Sequence, residues 1–370
     1  DRYREIRGLI QQLIDKYRRN AKILLIKEEN MKTFVSGTVL AGLLVLSMLT
    51  AAQAADVTLR FAHFWPAVSG THKQLYQVWA DTMERESGGR IKVEIYPSAT
   101  LAKPPAQYEA VKSGIADVTA TVQGYSANRF PLTQIVELPG IVKNAVHGSC
   151  IIQSLYDEGL ISDEYADSKP LFMFTHGPGH IHSKEQAITT PADFAGLRIR
   201  RPTTVVGDLL EKLGAQPVGM PAPQSYQSMQ RGVIDGVALP WEGALVFRIN
   251  ELATKHTEVG GLYTLSFVVT MNKDVYQDLP DDLKKVIDDN TGKAWSAKAG
   301  EVFDALDVKG RAAAVEAGHE IITIEGGGDN PAWKPVLSEA TESYLTQLEG
   351  KGLAARKVYA RALELSEICK

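Results

Sequence analysis

Cysteine is scarce in this chain. Two residues in 370, Cys150 and Cys369, provide neither a disulfide framework nor a Cys-x-x-Cys metal pair. Whether those two join is left open, since an oxidising compartment would permit it but the sequence carries no distance. A nucleophile elbow, a His-Glu-x-x-His pair and a Walker loop are also missing. Acids are plentiful, but pairs such as Asp281-Asp282 are explained by helix starts and solubility. No catalytic constellation is left, so no cofactor, no metal and no enzymatic activity are expected. Positive charge is lacking as well. Residues 1–54 hold nine Lys and Arg against five Asp and Glu, or +4, so the total of −4 leaves −8 for residues 55–370. That balance is unsuited to nucleic acid or an anionic membrane.

What is present begins with two segments set apart from the fold. Residues 1–30 are charge-dense, as in Lys16-Tyr17-Arg18-Arg19, and are read as upstream material. Met31-Lys32, an apolar run from Val39 to Met48 and the small-residue site Ala52-Gln53-Ala54 form the three-part pattern of a secretory signal peptide. Residues 31–54 are therefore expected to be removed on export to the periplasm, with a retained anchor as the alternative. No later apolar run is long enough to span a bilayer, so the mature protein is expected not to cross one. With 44% hydrophobic and 23% charged residues, the composition is that of a globular protein.

Val57 to Phe61 alternates as a strand, and Thr71 to Glu86 places Leu75, Val78, Trp79 and Met83 at helical spacing before Gly88-Gly89. Arg90–Tyr96 reads as a strand, Leu101–Lys112 as a helix and Asp117–Val122 as a third strand. This order predicts an α/β fold with parallel strands joined by right-handed crossovers. Ligands in such sheets sit beyond the carboxyl ends of strands. The candidates there are His63, Phe64 and Trp65 after the first strand, and Gln123 and Tyr125 after the third. Packing into the core is the alternative for each.

The stretch from Pro191 to Trp241 carries the strongest signal. Leu197 to Arg201 alternates apolar and basic, which puts Arg198 and Arg200 on one face of a strand. A fixed guanidinium is a ready bidentate partner for a carboxylate, although a surface ion pair explains a lone arginine equally well. Asp193 to Arg200 follows Asp-x-x-Gly-x-(Lys/Arg)-x-Arg, and Leu213 to Pro217 reads Leu-Gly-Ala-x-Pro. Gln230 to Gly236 reads Gln-x-Gly-x-x-Asp-Gly, and Pro240 follows. Four pieces in this order resemble the extracytoplasmic solute receptors of tripartite ATP-independent periplasmic (TRAP) transporters, the DctP-type family, over roughly residues 57–340.

The resemblance implies a two-lobed, periplasmic-binding-protein-like clamshell braced by a long helix. Lobe I would comprise 55–174 plus about 238–265 and lobe II 175–237 plus about 266–300, with 301–370 forming helices across both. It implies that Arg200 anchors a carboxylate, and that the partners are an organic acid and a small and a large integral membrane subunit. Two departures bear on the ligand. His180 stands near the place where many relatives have a second arginine, and Leu239 replaces a polar asparagine before the proline. With Trp241, Trp65 and Tyr125, they point to a monocarboxylate with an apolar or aromatic body. A C4-dicarboxylate or sugar acid is the alternative ligand. A periplasmic enzyme using His180 as base, or a sensory module, is the alternative class. His176, His180 and His182 would share a face of an extended strand, but Gly177-Pro178-Gly179 interrupts it and argues against metal.

Overall fold

Two sheets organise the chain into two lobes. The structure, a computed structural model, describes residues 55–369 together with Gly8, Gln11, Gln12, Ile14 and Lys16, which are helical and exposed. The proposed export signal at 31–54 and nearly all of 1–30 lie outside the described residues.

The chain opens with β1 (Val57–His63), α1 (Gln77–Glu86), β2 (Ile91–Tyr96), α2 (Gln107–Lys112), β3 (Val118–Val122), α3 (Ala145–Asp157) and β4 (Lys169–Thr175). It continues through β5 (His180–Ser183), β6 (Arg198–Arg201), α4 (Thr204–Lys212), β7 (Gln216–Gly219), α5 (Ser225–Gln230), β8 (Gly236–Leu239), α6 (Trp241–Val246) and β9 (Lys255–Glu258). It ends with β10 (Ser266–Met271), α7 (Lys273–Asp278), α8 (Asp281–Asp289), α9 (Gly292–Glu316), β11 (Glu320–Thr323), α10 (Lys334–Glu349) and α11 (Ala355–Ile368).

Lobe I is the sheet β2-β1-β3-β10-β4, in which the first three strands run parallel as their alternation predicts. Lobe II is the sheet β11-β9-β5-β8-β6-β7. The expected domain boundaries change here. β10 lies between β3 and β4, so the segment from 266 belongs to lobe I, whereas β8 and β9 within 238–265 belong to lobe II. The reason is that β10 is buried at every position on both faces, which suits a central strand. Residues 301–370 are not all helical either, because β11 extends the edge of lobe II beside β9.

The chain crosses between the lobes at 176–179 and again at 259–265. The two crossings lie side by side, joined by Gly179 N–H to Tyr263 O at 2.7 Å and by the Thr264 hydroxyl to His176 O at 2.7 Å. Asn290 and Thr291 separate α8 from α9, which starts afresh. α9 packs on α3 of lobe I and α6 of lobe II. Two glycines allow these close approaches. A Cβ on Gly300 would lie 2.6 Å from Val146 Cα, and one on Gly310 would collide with the Trp241 carbonyl. Cys150 on α3 and Cys369 after α11 form a disulfide with their Cα atoms 5.8 Å apart, which closes the question the sequence left open. Among the described residues, no helix is long and apolar enough to cross a membrane.

Candidate functional site

β6 carries Arg198 and Arg200 to different ends. Arg198 reaches Asp235 in a surface ion pair, with Nη2 to Oδ1 at 2.6 Å. Arg200, one turn of the pleat further in, is 0% exposed. Its Nε donates to Met220 O at 2.9 Å, Nη1 to Ala238 O at 2.9 Å and Nη2 to the Tyr125 hydroxyl at 3.1 Å. A guanidinium has five N–H groups, so one is left on each terminal nitrogen, the pair a carboxylate matches. No acidic side chain pairs with Arg200 among the described residues.

Arg200 lines a narrow crevice between the lobes. Its walls come from both sides. Phe64, Trp65, Val122, Tyr125, Phe267 and Phe303 belong to lobe I and the long helix, and Leu239, Pro240, Glu242 and Phe247 to lobe II; His176 and Leu265 are supplied by the crossings. Phe64 stacks on Trp65 at 3.9 Å between ring centroids, and Trp65 meets Phe267 at 5.7 Å. The lining is thus an aromatic box with one cation.

The lobes are closed on one another around it. Tyr125 of lobe I accepts from Arg200 and also from Ala222 N–H, at 3.0 Å. Thr71 of lobe I hydrogen-bonds to Glu242 of lobe II, whose own N–H is held by Asp307 of α9 at 2.6 Å. Burial pushes the Glu242 carboxyl up to about 7, against the hydrogen bonds from Thr71 and Trp65. Glu137 of lobe I is likewise pushed up to about 7 by burial, opposed by Ser266, Gln134 and, across the lobes, Thr203.

Of the residues singled out from sequence, Arg200, Phe64, Trp65, Tyr125 and Leu239 line this cavity. Four do not. The His63 ring is turned into the core against His72, at 2.9 Å, and Tyr76, because the last residue of β1 still points to the buried face. Gln123 donates to the Tyr165 hydroxyl at 2.6 Å, away from the cleft. Trp241 points its indole N–H at Glu258, 2.9 Å away, since a buried indole requires an acceptor and β9 offers one. His180 packs against that same indole, and burial lowers its pKa to about 4. His182 joins a buried chain with His256, at 2.7 Å, and His256 with His319 at 3.0 Å.

The residues not foreseen include His176, Phe247, Phe267 and Phe303. Phe267 and Phe303 were visible as the apolar positions of a strand and a helix. Nothing in that periodicity distinguishes a cleft from a core.

Comparison with known proteins agrees with this geometry. Residues 61–347 match the family described as bacterial extracellular solute-binding protein, family 7. A TRAP solute-binding protein from Rhodoferax ferrireducens T118, solved with copurified benzoate, is 37% identical. It superposes with a TM-score of 0.81 over 85% of this chain and 98% of that one. A marine metagenome TRAP solute-binding protein specific for aromatic acid ligands, solved with 3-hydroxybenzoate, is 36% identical with a TM-score of 0.82, over 86% and 100%. The C4-dicarboxylate-binding periplasmic protein DctP of Rhodobacter capsulatus is 26% identical over 85% of this chain and 94% of its own length. The chain belongs to the family 7 bacterial extracellular solute-binding proteins, the two-lobed receptors of TRAP transporters.

Proposed function

We propose that this receptor binds an organic monocarboxylate with an aromatic or similarly apolar body, in the periplasm, and delivers it to a small and a large integral membrane subunit of a TRAP transporter. The observation that carries this reading is a single cation, Arg200, set in a wall made mostly of aromatic and aliphatic side chains, with Glu242 as its one carboxyl group. One guanidinium neutralises one carboxylate through two charge-assisted hydrogen bonds, and the apolar wall suits the rest of such a molecule. A second carboxylate, or a ring of sugar hydroxyls, would lose its hydration against Phe64, Trp65 and Phe267 without recovering it. The benzoate and 3-hydroxybenzoate held by the relatives are ligands of this chemical kind.

In the mechanism that follows from this, the acid meets Arg200 while the lobes are apart. Closure brings Tyr125 onto Arg200 and Ala222, Thr71 onto Glu242, and Thr203 onto Glu137. These contacts join opposite lobes, so they exist only in the closed form. The closed form buries the ligand and is the shape that a membrane partner would read.

A thermal-shift screen over aromatic monocarboxylates, aliphatic monocarboxylates, C4-dicarboxylates and sugar acids tests the reading. A ligand at about 100 times its Kd stabilises the native state by roughly 2.7 kcal/mol. Aromatic monocarboxylates are expected to raise Tm in the natural chain and not in Arg200→Ala. Shifts confined to dicarboxylates or sugar acids would refute the assignment.

A further inference from the structure

His176 is the one other ionisable ring in the cavity wall besides the Arg200, Tyr125 and Glu242 groups, and the function above gives it no role. It stands in the first crossing between the lobes and is 1% exposed. Its Nδ1 lies against the carbonyl oxygen of Gly177, with the Thr264 hydroxyl at 3.4 Å. A carbonyl oxygen only accepts, so Nδ1 carries the proton. Burial drives the pKa of the ring down to about 3, with His180 and Arg200 nearby acting in the same direction, so the ring is neutral. Nε2 is therefore a bare acceptor. It is buried and has no hydrogen-bond partner among the described residues. The rings of Tyr263 and Phe267 pack edge-on against His176, each 5.9 Å away, and the Tyr263 hydroxyl makes no hydrogen bond to it among the described residues. With Nδ1 held by Gly177, Nε2 is the polar atom this side chain has left to offer the cavity that it lines.

We propose that Nε2 of His176 accepts a hydrogen bond from a hydroxyl group on the ligand, so that the site selects hydroxylated aromatic monocarboxylates over their unsubstituted parents. This rests on the carboxylate reading of Arg200. The two groups have opposite requirements: Arg200 offers only donors, and neutral His176 offers an acceptor. A ligand with a carboxylate at one end and an O–H at the other satisfies both. The parent acid satisfies Arg200 but closes the lobes over an acceptor with nothing to receive, and a buried polar group left unpaired weakens binding.

Isothermal titration calorimetry on the full chain tests this with matched ligands. The pairs are benzoate with each of its three hydroxybenzoates, those hydroxybenzoates with their methoxy counterparts, and phenylacetate with mandelate. In the natural chain at least one hydroxylated acid is expected to bind roughly tenfold or more tighter than its parent, and its methoxy form, which has the oxygen but no donor, to lose that advantage. In His176→Phe the ratio between that acid and its parent is expected to fall to within about twofold. Equal binding of every pair by the natural chain overturns the proposal, and that comparison does not depend on any variant folding. A ratio preserved in His176→Phe overturns it as well. The two readings fail differently. If benzoate binds and Arg200→Ala abolishes it while a hydroxyl adds nothing, the role of His176 falls and the carboxylate reading stands. If no aromatic acid binds, both fall.

Discussion

Replacing Glu137 by glutamine is expected to remove part of the loss of stability that the protein suffers as pH rises through neutrality. Glu137 is 1% exposed and receives hydrogen bonds from the Ser266 N–H at 3.2 Å, the Ser266 hydroxyl at 2.7 Å, the Gln134 amide at 3.2 Å and the Thr203 hydroxyl at 3.0 Å. All four donors are neutral. They do not offset burial, which moves the carboxyl from its ordinary 4.5 up to about 7. A carboxyl whose folded value lies above its unfolded value costs nothing below about pH 4.5, where both states are protonated. The cost grows as pH rises and is complete above about pH 7, where both are ionised. A rise of that size corresponds to roughly 3 kcal/mol. Glutamine keeps the shape of the protonated acid without the titration, and the Thr203 hydroxyl can accept from it as readily as it donates. Melting curves of Glu137→Gln and the natural chain are expected to coincide near pH 4. By pH 8 the variant is expected to be more stable, by several degrees in Tm. A constant offset between the two curves, or a variant that loses ground as pH rises, would refute the reasoning. Glu242, also raised to about 7, contributes a second slope of the same sign, so the natural chain keeps some pH dependence in the Glu137 variant.

Four further outcomes follow from the same structure. Below about pH 4 stability is expected to fall instead, because Asp235, held below its ordinary value by Arg198, loses its contribution as pH drops through its folded value; an acid-side melting series checks this. Tyr125→Phe removes the hydroxyl that receives both Arg200 and Ala222 N–H across the lobes, and calorimetry is expected to show roughly tenfold weaker ligand binding. Gly300→Val forces a side chain into the backbone of α3 beside Val146 and is expected to lower stability by roughly 1–3 kcal/mol in chemical denaturation, whereas reducing the Cys150–Cys369 bridge is expected to cost roughly 2–5 kcal/mol.

The sequence by itself determined the family, the alternating strands and helices of the first lobe, and the arginine. Those features are local. Strand alternation, helical spacing and the run from Asp193 to Pro240 depend on neighbours in the chain, and Arg200 follows from the same run. β1, β2 and β3 accordingly pair in parallel, as the alternation of strands and helices predicts.

Tertiary structure alone decided the rest. Which lobe β10 joins depends on pairing with β3 and β4, strands more than 90 residues away in sequence. His63 and Gln123 were marked by their places beside strand ends, and His180 and Trp241 by the resemblance, yet each found a partner within its own lobe, namely His72, Tyr165, Trp241 and Glu258. Phe267, Phe303 and His176 reach the cavity because β10, one long helix and the first crossing bring them there. A side chain's type and its position in a repeat are written in the sequence. Whether its face meets a cleft or a core is settled only when distant segments pack, because both surroundings reward the same apolar residues.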